Sequence, residues 1–289
     1  MRSEVNLKKD IIEVGKMLHA KGYIAATDGN ISVRVSPNRI LTTATGVSKG
    51  FMREEHIVVV DADGNLLSGS YQPSSELKMH LIAYKLRPEI KAIVHGHPPT
   101  CTAFTIAGIS LAKCVLPEVV MTLGVIPTAD YATPSTGEVP ESIRDFIAKY
   151  DAVLLDRHGA ITVSSKNVFD AYYKLEKIEH TAEVTLKARQ LGQVKTLTDE
   201  QVTKLADVSG IGREKLCEGS CVNCGSCGQG TSPILEKTAV ASSQEGAATV
   251  TCDEAVVGKA AVQSGGALGS LEARVKAEVI TEIKRIMNS

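Results

Sequence analysis

The apolar residues of the first twenty positions recur every three or four residues, a spacing that predicts a helix with one buried face. They are Leu7, Ile11, Val14 and Leu18, and Gly22 follows where such a helix should end. Apolar spacing of this kind, or a capping or proline residue at the start, predicts five more helices. They are placed at 76–86, 100–107, 140–150, 167–191 and 199–206, the first of them capped by Ser74 or Ser75.

Short apolar runs between Gly, Pro and Asp residues predict strands instead. They lie at 31–34, 39–42, 57–60, 92–94, 125–127, 152–155 and 160–163. Because these strands and the helices do not alternate strictly, the sheet is expected to be mixed and largely antiparallel, with helices on both faces. The sequence therefore predicts the α/β class, with a central mixed, largely antiparallel sheet between two helical layers.

The composition argues against several classes of protein function. The 289 residues are 43% hydrophobic, ample for a core, and the net charge of −1 argues against nucleic acid as the main partner. We find no apolar leader and no run of about 20 apolar residues, so no membrane association is expected. Seven cysteines, an odd number, suit a reducing compartment better than a disulfide framework. We therefore expect a cytoplasmic protein.

Two histidines stand at the end of a predicted strand, where Pro98 and Pro99 must stop it. His95 and His97 are two positions apart, so an extended backbone directs both side chains the same way. Two converging imidazoles can supply two of the three protein ligands of a catalytic zinc. The alternative is a pair of histidines that only pack or hydrogen-bond.

Further polar residues accompany this pair. Glu76 lies at the start of a predicted helix, where a carboxylate is either stabilised by the helix dipole or available for catalysis. His158 follows a second apolar run and could be a third ligand. The turns at 27–30 and 43–46 place backbone donors and short polar side chains at strand ends, which suits a phosphate but also suits an ordinary turn.

Five motifs occur in an order and at spacings that resemble the class II aldolase/adducin family. They are Gly29-Asn30-Ile31-Ser32-Val33-Arg34, Thr45-Gly46, Ser74-Ser75-Glu76, His95-Gly96-His97 and His158-Gly159. The resemblance covers about residues 5–210 and implies a catalytic domain at 1–212 with the family's three-layer αβα fold. It also implies a homotetramer with sites near the subunit boundaries.

The resemblance assigns roles to these residues. It implies one Zn²⁺ ion per subunit on His95, His97 and His158, with Glu76 as the catalytic carboxylate and a possible fourth ligand before substrate arrives. It implies a substrate phosphate site made by Thr27, Asn30, Thr45, Gly46, Ser74 and Ser75.

Within the family, the chain resembles the branch that cleaves L-fuculose 1-phosphate. The implied reaction splits that sugar phosphate, or L-rhamnulose or ribulose 1-phosphate, into dihydroxyacetone phosphate and an aldehyde such as lactaldehyde. The alternatives are a methylthioribulose-1-phosphate dehydratase, a sugar-phosphate epimerase and an adducin-like scaffold. Glu76 favours cleavage, because the family's epimerases carry Asp there, and the histidines disfavour the scaffold. The segment 115–119 lacks the tyrosine that the fuculose enzymes carry. No residue is therefore assigned as the acid that acts on the aldehyde part of the substrate.

The composition changes after residue 212. A Cys-rich segment at 213–230 contains Cys217, Cys221, Cys224 and Cys227, whose spacing is typical of an iron–sulfur cluster or a second zinc site. Free thiols are the alternative. Residues 231–269 are rich in Gly, Ser and Ala and predict a flexible linker.

The last segment, 270–289, has an apolar face of Leu, Val, Ile and Met opposite mixed charges, which predicts an amphipathic helix. It resembles the encapsulation peptides of bacterial microcompartment enzymes, which implies a shell protein as partner through 271–287 and a place in the microcompartment lumen. The alternatives are docking on its own oligomer or on a membrane surface, and the mixed charge disfavours the membrane.

Overall fold

A computed structural model describes residues 2–212, 215 and 216, and this part of the chain forms eight strands and seven α-helices. The strands are β1 (Asn30–Ser36), β2 (Arg39–Thr43), β3 (Ile57–Val60), β4 (Leu66–Ser68), β5 (Ala92–Gly96), β6 (Thr128–Ala129), β7 (Ala152–Leu155) and β8 (Gly159–Ser164). The helices are α1 (Glu4–Ala20), α2 (Leu77–Leu86), α3 (Pro99–Ile106), α4 (Pro117–Val120), α5 (Glu138–Ile147), α6 (Val168–Leu191) and α7 (Asp199–Ser209).

The predictions for the end of the chain concern residues outside this description. They are the four-cysteine metal site, the linker at 231–269 and the amphipathic helix at 270–289. Within the described residues, no helix has both the length and the apolar character needed to cross a membrane.

The eight strands form one sheet in the order β4-β3-β2-β1-β5-β8-β7-β6. Among the described strands, β6 and β7 run parallel and every other neighbouring pair is antiparallel. This confirms the prediction of a mixed, largely antiparallel sheet. The central strands β1, β5 and β8 pair over most of their lengths, which gives the middle of the sheet a fixed register.

Helices cover both faces of the sheet, which confirms the three-layer αβα class. The core on one face includes Ile11 of α1, Phe104 of α3 and Leu175 of α6. The core on the other face includes Met79 of α2 and Ile143 of α5. Each buried aliphatic side chain contributes roughly 1.5–3 kcal/mol to folding, so the two apolar layers hold the sheet between them.

The start of α2 differs from the prediction. Neither Ser74 nor Ser75 caps the helix, and Glu76 itself occupies the N-cap position without a side-chain cap bond. The Ser74 hydroxyl instead accepts from the Asn30 amide at 3.0 Å, and the Ser75 hydroxyl lies 2.9 Å from that of Ser135. Ser74 Oγ also accepts from the N–H of Glu76 at 3.3 Å, so this serine is bonded both across the site and at the start of its own helix.

The strand predicted at 125–127 was placed too early. β6 begins at Thr128, which pairs with Leu154. Proline has no backbone N–H to donate to a ladder, so Pro127 contributes only its carbonyl, which accepts from Leu154. The short helix α4 was not predicted, because four residues are too few to show a helical period.

Candidate metal centre

The pairing of the central strands brings the three histidines to one end of the sheet. His95 on β5 lies opposite Asn30 of β1 and Ile161 of β8. His97 follows β5 directly, and His158 occupies the turn between β7 and β8, where its N–H donates to Leu155. Because β5 and β8 are antiparallel neighbours, the end of one and the start of the other coincide.

The three imidazoles and one carboxylate face a common point. Each pair of imidazole rings has a centroid distance of 5.0 Å. The Nε2 atoms of His95 and His97 are 3.2 Å apart, and the carboxylate of Glu76 lies 3.0 Å from His158 Nε2 and 3.4 Å from His95 Nε2. One ligand atom from each of these four residues lies within 4.8 Å of all the others.

The donor set fits a zinc ion. His95 Nδ1 donates to the carbonyl of Ala160 at 2.9 Å, which leaves its Nε2 with a lone pair directed at the other three residues. A lone pair and a carboxylate oxygen that face each other repel unless a cation or proton lies between them. Tetrahedral zinc, with bonds of about 2.0–2.1 Å, would place its ligand atoms roughly 3.3 Å apart, close to the spacings observed.

The protonation states in this cluster suit metal binding. Burial raises the pKa of Glu76, but the hydrogen bonds and charge interactions that it gains when the facing imidazoles of His158 and His95 carry protons outweigh this effect and hold the pKa far below its usual range. Burial lowers the pKa of His97 to about 3, and a proton on His95 or His158 acts in the same direction. A carboxylate and a neutral imidazole are the forms that coordinate a metal.

Two residues predicted to hold phosphate, Asn30 and Ser74, contact Glu76 of this cluster. Asn30 is buried, and its amide donates to Ser74 at 3.0 Å and to Glu76 at 3.4 Å, while its Oδ1 has no partner among the described residues. The N–H of Ser74 donates to Thr43 and the N–H of Thr45 donates to Gln72, so the two predicted phosphate segments lie side by side.

Two further residues predicted to hold phosphate lie in tight turns. Gly46 has φ +69°, and Thr27 precedes Gly29, whose φ is +70°. A Cβ on Gly29 would lie 2.8 Å from the carbonyl oxygen of His95, so the turn before Asn30 approaches the backbone of β5 more closely than a side chain permits. The structure thus brings Asn30 and Ser74 into contact with Glu76, and the roles of all six predicted phosphate residues stay predictions.

Sequence analysis missed two charged residues and one buried histidine near the site. Asp28 Oδ2 lies 3.6 Å from His97 Nδ1, and Lys49 is buried below the same turn. His80 on α2 is fully buried, and its Nδ1 lies 2.7 Å from Ser32 Oγ. Burial lowers its pKa to about 3. Neither charged residue carries a sequence signal, because loop packing alone brings Asp28 and Lys49 to the site.

Comparison with known proteins decides the family. The model of the Class II Aldolase and Adducin N-terminal domain matches residues 9–186. The chain belongs to this family. The match spans all four residues of the metal cluster and the segments around them, which confirms the family resemblance seen in the sequence motifs.

Individual relatives of this class II aldolase domain differ in their reactions. It is 35% identical over 175 residues to L-fuculose phosphate aldolase of Methanococcus maripaludis, covering 61% of this chain and 93% of that protein. The chain is also 33% identical over 204 residues to 3-oxo-tetronate 4-phosphate decarboxylase of Haemophilus influenzae, covering 68% of this chain and 95% of that protein. Among solved structures the chain is similar to an L-fuculose 1-phosphate aldolase, with a TM-score of 0.67 and 29% identity. The similarity covers 73% of this chain and 99% of that one.

Proposed function

We propose that this class II aldolase domain is a zinc-dependent lyase that splits L-fuculose 1-phosphate, or a related ketose 1-phosphate, into dihydroxyacetone phosphate and an aldehyde such as lactaldehyde. The observation that carries the proposal is Glu76, whose carboxylate faces three imidazoles on one side and the Asn30 amide on the other. The similarity to L-fuculose phosphate aldolases over most of their length supports the same substrate.

Each part of the site has a chemical task in this reaction. A zinc ion held by His95, His97 and His158 would act as a Lewis acid toward the carbonyl end of the sugar. As the carbon–carbon bond breaks, the hydroxyl group of the aldehyde-forming carbon gives up its proton, and Glu76, a carboxylate at neutral pH, transfers a proton to the carbon beside the carbonyl, which has lost that bond. The residues around Asn30 and Ser74 bind the phosphate, which supplies binding energy remote from the bond that breaks.

A substrate panel tests this proposal. The purified full chain should release dihydroxyacetone phosphate from L-fuculose 1-phosphate, and L-rhamnulose and ribulose 1-phosphates measure its selectivity. A chelator should abolish the activity and added zinc should restore it. The proposal fails if no ketose 1-phosphate yields dihydroxyacetone phosphate. Dehydration of methylthioribulose 1-phosphate, or epimerisation of a pentose phosphate, would then identify the alternative reactions.

Decarboxylation of 3-oxo-tetronate 4-phosphate is a second candidate. The similarity to such a decarboxylase favours it, and so does segment 115–119, which has no tyrosine to act as an acid on an aldehyde. Loss of CO₂ leaves an electron pair on the carbon next to the ketone, and that carbon then takes up a proton. No aldehyde forms, so no acid acting on an aldehyde is needed. Release of CO₂ from that acid, with no lactaldehyde from the ketose 1-phosphates, would favour this candidate.

We also propose that the protein is a homotetramer, as the family resemblance implies. Light scattering of the active enzyme should give four times the mass of one chain. A monomer with full activity would contradict this assembly.

For the end of the chain we propose that residues 271–287 bind a microcompartment shell protein. The support is the alternation of apolar and charged positions in that segment. Residues 265–289 fused to a fluorescent protein should form puncta in cells that make such shells. Diffuse fluorescence of the fusion, with the intact protein still in puncta, would show that the segment is not the targeting signal.

A further inference from the structure

Lys49 is a buried lysine beneath the two turns that flank the metal cluster. Its side chain is 1% exposed, and its ammonium donates to the backbone carbonyls of Thr27 and Val47. Helix α1 packs directly on this residue, since a Cβ on Gly15 would lie 2.5 Å from the Lys49 carbonyl oxygen. A buried ammonium is retained only where partners offset its desolvation.

The two partners of Lys49 belong to the two turns that carry four residues of the proposed phosphate site. Thr27 lies in the turn before Asn30, and Val47 directly follows Thr45 and Gly46. The side chain therefore ties one turn to the other through their carbonyl groups.

The charge of Lys49 matters because the proposed phosphate site has no cationic side chain of its own. Thr27, Asn30, Thr45, Gly46, Ser74 and Ser75 are all uncharged. The carboxylates of Asp28 and Glu76 stand next to them and would repel a phosphate dianion. Burial lowers the pKa of Lys49 to about 8, although Asp28 and Glu76 favour the charged form, so the ammonium persists at neutral pH.

We propose that Lys49 is a positioning residue for the substrate phosphate: it fixes the two turns and supplies the buried positive charge that offsets the neighbouring carboxylates. The inference rests on the proposed function only in that the substrate carries a phosphate group, so it applies to either candidate reaction. Lys49 acts through the turns and through its field, and does not contact the reacting carbon.

Inorganic phosphate is the direct probe of this role. Its dissociation constant is measured by isothermal titration calorimetry on the full chain, with the metal content of each variant determined. Lys49→Met, which removes both charge and donor, should raise the constant by about tenfold or more, and Lys49→Gln, which keeps a donor without charge, by nearly as much. The control Lys16→Met removes an exposed lysine on α1 and should leave the constant within about twofold.

Steady-state kinetics separate positioning from a merely structural role. In the Lys49 variants the KM for the phosphate substrate should rise by a larger factor than kcat falls, because uniform binding is lost. If Lys49→Met does not fold, Lys49→Gln decides both measurements. Phosphate binding within twofold of wild type in a folded variant would overturn the proposal.

The two proposals can fail separately. A wild-type chain that binds phosphate but converts neither substrate class contradicts the proposed function and leaves the role of Lys49 standing. A wild-type chain that cleaves the sugar phosphate, with Lys49→Met binding phosphate normally, contradicts only the role of Lys49. A wild-type chain that binds no phosphate contradicts both.

Discussion

At the scale of single residues, replacing Glu76 and replacing His95 are expected to have different effects on zinc binding and turnover. Glu76→Gln keeps a side chain of the same shape, so zinc should remain bound while turnover falls by about 10²–10⁴-fold. His95→Ala removes a ligand and should abolish zinc binding along with activity. Metal analysis by mass spectrometry and assays of dihydroxyacetone phosphate release distinguish the two. Full turnover in Glu76→Gln would rule out the proton transfer assigned to this carboxylate.

Gly29 is expected to be far more sensitive to substitution than Gly22, although both have positive φ values near +70°. Alanine at either position is strained by about 1–2 kcal/mol. A Cβ at Gly22 meets nothing within 4 Å, whereas one at Gly29 collides with His95 and Ile24. Gly29→Ala should therefore lose at least about 1 kcal/mol more stability in urea unfolding. Equal losses in the two variants would show that the turn moves away from His95 freely.

The sequence predicted the residues that a strand period brings together and missed those that loop packing brings together. His95 and His97 share a face because they are two apart on an extended chain and Pro98 ends the strand. Lys49 carries no such signal, because a charged residue is ordinarily exposed and only the packing of α1 and two turns buries it.

At the scale of elements, Glu179 of α6 is expected to hold the start of α3. Its buried carboxylate accepts the N–H groups of Thr100 and Cys101, each at 2.8 Å. Glu179→Gln loses the charge at the helix N-terminus and leaves one N–H without a matched acceptor, at roughly 1–2 kcal/mol of stability. Thermal unfolding measures the loss. Glu183→Gln, an exposed neighbour on the same helix, is the control and should change little.

The start of a helix could be predicted from sequence where a neighbouring residue caps it. The start of α6 was predicted at Asn167, whose side chain caps it locally by accepting from Asp170. The start of α2 was placed one residue too early, because Glu76 itself takes the N-cap position, while Ser74 Oγ accepts from both the Glu76 N–H and the amide of Asn30, 44 positions earlier in the chain. The bond to a distant residue cannot be identified from neighbouring residues alone.

At the scale of the whole molecule, Asp151 is expected to link the helical layers and to make stability depend on pH. Its carboxylate lies 2.8 Å from Arg87, beyond the end of α2, and 2.9 Å from Lys174 of α6. Burial raises the pKa of Asp151. The charge and hydrogen bond of Lys174, together with the charges of Lys215 and Arg87, outweigh this effect and hold the pKa below its ordinary value.

Because the pKa is lower in the folded state, this stabilisation is present above the ordinary value of 3.8 and is lost as the pH falls through the folded value. Asp151→Asn should therefore lose about 3 kcal/mol at pH 7, with the difference from wild type shrinking below pH 4. Urea unfolding across this range measures it, with the exposed Glu141→Gln as a matched control. A difference that does not change with pH would show that packing, and not charge, is responsible.

The pairing of β5 with β8 also sets when the metal cluster can exist during synthesis. His95 bonds to Ala160, 65 positions further along the chain, and His158 arrives just before that partner. A ribosome adds about 5–20 residues per second, so the histidine pair emerges roughly 3–13 s before the strand that completes its surroundings. Until then a nascent chain offers two loose imidazoles that any divalent ion in the cell can sample. Any selection among metal ions by this cluster would therefore require the finished fold, after translation has passed the second half of the sheet.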